Sequence, residues 1–252
     1  MSKFTKKSQE IKLIREGGQI LHRILEQTAA LVRPGISTAE LNKFAEAAIS
    51  QAGGRPSFIG YGSKKNPFPA GLCTSINDVV VHGIPSDQDI LQEGDIVGLD
   101  IGMEYKNFYT DTAVTVAVGK INPVAQKLID TTRRCLAEAI RVVKPGKRIG
   151  DIGYTIQTIA EAAGFSVVRD LVGHGVGYAV HEDPAVPCYG KKGTGLELVP
   201  GMVLAIEPMV CQGRFQVYFD DDGWTIRTAD SSLAAHFEHT IAVTEYGVQV
   251  LT

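Results

Sequence analysis

No two cysteines in this chain are spaced as CxxC. The four present, Cys73, Cys135, Cys188 and Cys211, are scattered through the 252 residues. That usage suits free thiols in a reducing cytoplasm better than a disulfide framework. No apolar run approaches the ~18 residues of a membrane span. The opening MSKFTKKSQEIKLIREGG is charged and lacks the apolar stretch of a signal peptide. A net charge of −3 leaves no basic excess to hold nucleic acid or an anionic membrane. Several catalytic signatures are also missing. His181-Glu182 begins like HExxH, but Ala185 stands where the second histidine belongs. The glycines at 173–177 do not complete GxGxxG, no Walker lysine follows, and no serine sits in a nucleophile elbow.

What is present suits one large α/β or α+β domain, or two small ones: 44% hydrophobic residues, 21% charged and 27 glycines. Apolar residues at helical spacing predict a helix over 8–31. Ser37-Thr38-Ala39-Glu40 has the capping-box pattern and opens a second, to about residue 52. Asn122-Pro123 supplies a cap and an N1 proline for a third, to about 143. A fourth is expected over 149–163. Strands are expected near 57–61, 71–76 and 79–83, in a hairpin over 96–118, and at 202–211, 215–219, 224–227, 237–244 and 248–251. A faint repeat joins the halves at nearly one offset. Val32-Arg33-Pro34-Gly35 is echoed by Val143-Lys144-Pro145-Gly146, and Ala52-Gly53 by Ala163-Gly164. LxxGx5D, ending at Asp100, is echoed by LxxGx5E, ending at Glu207. We read a duplicated helix-helix-strand unit arranged about a pseudo-two-fold axis, an α+β fold around antiparallel sheets. The halves cover roughly 10–120 and 121–252 of one catalytic domain spanning 1–252.

The hairpin poses a chemical problem. Asp100 and Asp111 lie inside runs of strand-forming residues, equidistant from the midpoint of the polar stretch 104–107 (EYKN). A symmetric loop there would set them directly opposite each other, on one face and ~5 Å apart at Cβ. Gly98 and Gly102 share the face with Asp100, as though to leave room for something bound. Like charges so placed need a shared proton, a cation, or full exposure to solvent. Glu207 ends an apolar run and Glu238 sits inside another. His174 lies in Gly173-His174-Gly175-Val176-Gly177, read as a loop too glycine-rich to bury a histidine by packing. Four carboxylates and one imidazole make a hard donor set that suits two divalent ions, with Mn²⁺, Fe²⁺, Co²⁺ or Zn²⁺ as candidates.

GLDIG, YTDTA, GHGVG, AIEPM and FEHT occur in the order and spacing of methionine aminopeptidases, and the chain resembles the type I enzymes of that family from about residue 11 to 251. Xaa-Pro aminopeptidases and prolidases share the ligand set but usually carry a large additional N-terminal domain. The resemblance implies the pita-bread fold and a cytoplasmic, metal-dependent hydrolase that removes initiator methionine when the second residue is small. It implies that Asp100 chelates one metal, Asp111 and Glu238 bridge both, and His174 and Glu207 complete the other. His82 and His181 correspond to the family's two catalytic histidines that are not ligands, and Glu207 to the proton shuttle. By motif position Tyr61, Phe68, Cys73 and Trp224 join His82 and His181 in binding substrate. The implied partners are nascent polypeptide N-termini, with the ribosome as a candidate contact through the basic N-terminal segment or Lys64-Lys65. Nucleic-acid specificity and membrane attachment are not implied, and the expected state is a monomer. The chain departs from the pattern at Val180 (commonly aromatic), Tyr178 (frequently basic), Phe68 (usually Tyr), His236 (frequently Gln) and Gly102 (frequently Thr), and its 60–71 loop is a few residues long. These departures bear on side-chain preference and rate. The alternatives are an aminopeptidase of this fold with another P1 preference, or a catalytically weak binding homologue.

Overall fold

A computed structural model describes residues 4–252; Met1, Ser2 and Lys3 of the charged N-terminal segment lie outside the described residues. The first half begins with α1 (Ser8–Ala30) and α2 (Thr38–Gln51). Five short strands follow: β1 (Arg55–Pro56), β2 (Gly62–Ser63), β3 (Asn66–Pro67), β4 (Leu72–Ile76) and β5 (Val79–Val81). The hairpin is β6 (Ile96–Tyr105) and β7 (Phe108–Ala117). The second half opens with α3 (Pro123–Val142) and α4 (Ile149–Ala162), then β8 (Ser166–Val167), β9 (Val172–Gly175), β10 (Glu182–Pro187), β11 (Val203–Ile206) and β12 (Met209–Cys211). It closes with β13 (Val217–Phe219), β14 (Ile226–Thr228), β15 (Ala234–His236), β16 (Glu238–Thr244) and β17 (Gly247–Val250).

The helices start where their caps dictate. The Ser37 hydroxyl accepts from the Glu40 amide at 3.2 Å, and the Glu40 carboxylate accepts from the Ser37 amide at 2.9 Å. Asn122 caps α3 through the Ala125 amide at 2.8 Å, with Pro123 at the first helical position.

The main sheet runs β1-β6-β7-β16-β11-β9-β10, with β4 also on β6 and β17 on β16. The α+β architecture is thus as expected, and so is its symmetry. Outward from the β7–β16 contact, β6 on one side answers β11 on the other. Asp111 on β7 answers Glu238 on β16, which pairs two residues along at Ala113, and Asp100 on β6 answers Glu207, just past the end of β11. Helices α1 and α2 bury Leu21, Leu25, Leu41 and Ile49 against Leu72, Leu99 and Ile101. Helices α3 and α4 bury Leu128, Leu136, Ile152 and Ile156 against Leu204, Ile206 and Ile241. Each helical layer covers one half of the sheet and leaves the opposite face for the site.

Three expectations about strands are corrected. Residues 57–61 are not a strand: pairing there ends at Pro56, and the chain turns through Gly60, whose φ is +81°. The run 202–211 breaks at Glu207-Pro208, so β11 and β12 belong to different sheets. A proline cannot donate to the ladder and holds the residue before it out of regular pairing. The segment read as a glycine-rich loop is strand β9, in which His174 pairs with Ala205 of β11.

Candidate metal centre

The hairpin turn sets the geometry of the first two acids. Lys106 and Asn107 both take positive φ, 51° and 66°, the backbone of a two-residue type I′ turn. Tyr105 therefore pairs with Phe108, Asp111 with Gly102 and Asp100 with Ala113. Asp100 and Asp111 are diagonal neighbours, not directly opposed as the symmetric loop over 104–107 implied. Moving the loop centre by one residue shifts the pairing by two, so both acids keep a common face.

Gly102 also has a different reason from the one expected. A Cβ there would lie 2.2 Å from Ser57 Oγ and 2.6 Å from a ring carbon of Phe58. The missing side chain makes room for an aromatic wall rather than for an ion. At Gly98 a Cβ would make only ordinary contacts, with Ser75 Cβ at 3.4 Å and with Ser75 O and Thr115 Oγ1 at 3.7 Å.

The remaining donors converge on this face. Glu238 begins β16, where it pairs with Ala113 beside Asp111. The seam is locked by the Thr240 hydroxyl, which accepts from the Asp111 amide at 3.0 Å and donates to the Asp111 carbonyl at 2.8 Å. His174 Nδ1 lies 2.9 Å from the Gly175 carbonyl. An imidazole donating there carries its lone pair on Nε2, and Nε2 lies 3.4 Å from Glu207 Oε1. Glu207 is freed from the sheet by Pro208 and turns its other oxygen to His236 Nε2 at 3.3 Å.

Donor atoms lie within 4.8 Å of one another in three groups: Asp100, Asp111 and Glu238; His174, Glu207 and Glu238; and Asp111, His174 and His181. Glu238 belongs to both carboxylate-rich groups. Asp100 Oδ1, Asp111 Oδ1 and Glu238 Oε1 are buried without a hydrogen-bond partner, a costly condition for carboxylates unless a cation or proton meets them. Among the described residues, no lysine or arginine lines the cavity. Burial, then the neighbouring carboxylates, holds Asp111 and Glu238 well above the usual range. Burial raises Asp100 to about 6. Glu207 differs. Burial alone would raise it, but the His236 hydrogen bond and the surrounding imidazoles outweigh that and hold it below its ordinary value. Hard oxygen donors in excess, with one oriented imidazole, fit divalent cations.

Beside the acids lies a cavity of about 120 Å³. All eleven residues expected at the site line it: Asp100, Asp111, His174, Glu207, Glu238, His82, His181, Tyr61, Phe68, Cys73 and Trp224. Cys73 pairs with Asp100 across β4–β6 and so shares its face. Its thiol is pushed well up by burial and the nearby acids, so it stays protonated. Phe68 and Trp224 meet edge-on, ring centroids 5.3 Å apart, and the His82 ring lies 6.5 Å from Trp224. His82 has φ 59°, a left-handed backbone that costs a non-glycine residue of order 1 kcal/mol and tends to mark functional positions. Burial lowers both His82 and His181 to about 4. His181 sits at the mouth, its Nδ1 2.6 Å from the Tyr61 hydroxyl.

The sequence reading missed five lining residues: Phe58, Val81, Leu171, Val172 and Met209. It noted His236 only as a departure. A usable signal was there, because His236 precedes Glu238 by two residues and alternation puts both on one face.

Residues 12–245 match the model of metallopeptidase family M24. The chain is 48% identical to methionine aminopeptidase A of Synechocystis over 96% of its length and 94% of that protein's. It is 40% identical to the methionine aminopeptidase of Escherichia coli, covering 98% of this chain and 92% of that one. The crystal structure of methionine aminopeptidase from Thermotoga maritima superposes with a TM-score of 0.95 at 41% identity, over 98% of both chains. A prolidase from Pyrococcus horikoshii, 23% identical with a TM-score of 0.75, shares the fold; this chain spans 63% of it.

Proposed function

This chain belongs to metallopeptidase family M24, and from that premise we propose that it is a type I methionine aminopeptidase, a single catalytic domain that hydrolyses the bond after an N-terminal methionine when the second residue is small. The observation that carries the reading is the set of partnerless buried carboxylates beside a small apolar cavity walled by neutral imidazoles. Asp100, Asp111, His174, Glu207 and Glu238 would together hold two divalent ions. Co²⁺, Mn²⁺, Fe²⁺ or Zn²⁺ would each suit these donors, and cellular supply selects among them. When bound, the ions supply Lewis acidity toward the scissile carbonyl and the attacking water.

The chain's own groups handle the protons. Glu207, held ionised by His236 and the nearby imidazoles, takes the proton the attacking water loses and delivers it to the leaving nitrogen. The Tyr61 hydroxyl, kept protonated by burial, donates to His181 Nδ1. That fixes the neutral tautomer with its N–H on Nε2, free to donate to the carbonyl oxygen as charge develops. His82, also neutral, serves the amide on the leaving side. Phe68, Cys73 and Trp224 give the methionine side chain an apolar, partly sulfur-lined wall. The substrates are nascent chains in the cytoplasm, met by a monomer at or near the ribosome.

Two tests follow from this. After chelation and reloading with Mn²⁺, Co²⁺ or Fe²⁺, the enzyme should cleave Met-Ala-Ser and spare Leu-Ala-Ser and Xaa-Pro peptides. Cleavage of the leucine peptide but not the methionine one would refute the substrate assignment. Tyr61→Phe should lower kcat roughly tenfold, the worth of one hydrogen bond of about 1.4 kcal/mol, with little change in thermal midpoint. A rise in KM at constant kcat would instead make Tyr61 a pocket wall only.

A further inference from the structure

The loop that carries His181 is held from below by a residue far from it in sequence. Glu182, the next residue, turns its carboxylate back under the loop. Oε1 accepts from the Ala179 amide at 2.8 Å and also from the Tyr178 amide. Oε2 receives the Lys6 ammonium at 2.6 Å, across 176 residues. The Lys6 side chain is 1% exposed, an extreme burial for a lysine, and it is paired with Glu182. Desolvating an ammonium this far is costly unless its position matters or its partners are excellent.

Everything around Lys6 ties it to this loop. Its Nζ lies 4.8 Å from the centre of the Tyr178 ring, and the Tyr178 hydroxyl donates to Glu10 at 2.7 Å. Gly177, at φ 137°, has no room for a side chain because a Cβ would sit 2.7 Å from Lys6 Cε. The segment bearing Lys6 is itself anchored, with the Lys6 amide donating to the Gly201 carbonyl at 2.8 Å. The loop is therefore clamped between the N-terminal segment and β10, and His181 leaves the clamp one residue before its carboxylate.

We propose that Lys6 is a positioning residue for His181: its buried ammonium fixes Glu182, Glu182 fixes the loop amides, and the loop aims the imidazole at the site. The proposal rests on the catalytic reading of His181 given above. It explains why a lysine is buried where no substrate reaches it.

The test compares Lys6→Met, which keeps the length and apolar stem, with Lys6→Met/Tyr178→Lys, which returns an ammonium from the position of the tyrosine ring. Lys6→Met/Glu182→Gln, a neutral pair of similar shape, serves should an unpaired Glu182 prevent folding. The readouts are kcat and KM on Met-Ala-Ser, the thermal midpoint, and imidazole ¹H–¹⁵N signals of the chelated protein, with His181 identified by its absence in His181→Ala. Lys6→Met should lower kcat roughly 10- to 100-fold, the effect of misplacing a catalytic group by about 1 Å, with KM changed less than about threefold. The His181 signals should move or broaden while those of His22 and His239 hold, and the Tyr178→Lys addition should recover both kcat and spectrum. Should either charge-deleted variant fold with wild-type kcat and unmoved His181 signals, or should the double variant regain only its thermal midpoint, Lys6 is merely structural and the proposal falls. The spectra need neither metal nor turnover, so they stand even if the substrate assignment fails.

Discussion

Replacing Asp111 with asparagine is expected to make the chelated protein more stable and the enzyme almost inert. The two effects have one cause. Asp111 is buried beside Asp100 and Glu207, and its pKa lies well above its ordinary value. A carboxyl whose folded pKa is raised contributes fully below its unfolded pKa, near 3.9, and its contribution is lost as pH rises toward and through the folded value. Asp100, at about 6, and Glu238 act in the same direction. These carboxyls should thus pull the thermal midpoint of the chelated wild type down as pH is raised from about 4 to 8, against the opposite pull of His82, His181 and His239, which burial lowers to about 4. Asp111→Asn should weaken the downward pull and lie above the wild type at pH 8, while the two coincide near pH 4. Activity should go the other way. Losing one of the proposed metal ligands should remove several kcal/mol of transition-state stabilisation, on the order of 10³-fold or more in kcat/KM. Calorimetry across pH, with elemental analysis of reloaded protein, decides the matter. Wild-type metal content in Asp111→Asn would remove Asp111 from the ligand set.

The second large effect is expected at His181. Its imidazole is neutral above about pH 4 and Tyr61 occupies Nδ1, so the remaining N–H is oriented before substrate arrives. A preoriented donor acts where charge develops, and deleting one costs about 10²- to 10³-fold in kcat. His181→Ala should show that loss with KM within about threefold, because the apolar wall of Phe68, Cys73 and Trp224 is untouched. A variant whose defect lay mainly in KM would mean that His181 holds the ground state. Steady-state kinetics on a short methionyl peptide separates the two.

Much of this was legible in the chain. The four helices declare themselves through apolar spacing and through Ser37, Glu40, Asn122 and Pro123, whose capping chemistry is local. The four acids stood out because acids inside apolar strands have few other uses, while His82, His181, Tyr61, Phe68, Cys73 and Trp224 came from the resemblance; with His174, all eleven line one cavity. What escaped depended on distant partners. Strands β8, β9 and β10 are short, and two of them draw their pairing from β11 and β12, far along the chain. The hairpin's turn was centred one residue too early, which shifts the pairing by two, because a polar run of four offers more than one centre. Only the left-handed backbone of Lys106 and Asn107 chooses between them. His236 looked like a simple replacement because its partner, Glu207, lies on another strand. Lys6 lay in the basic N-terminal segment, read as a candidate ribosome contact, and its partner is 176 residues away.

The seam between β7 and β16 also has a meaning in time. The Thr112 hydroxyl donates to the Glu238 carbonyl across 126 residues, so this contact closes a long loop. Contacts of that separation form late, after each half has gathered local structure, because the entropy of closure precedes any reward. Ions held by Asp111 and Glu238 would join the halves at this late-made contact. They would therefore act on the native basin and on escape from it, with little leverage on the early steps of folding. The centre that performs the chemistry is then also the rivet that keeps a slowly assembled chain from coming apart.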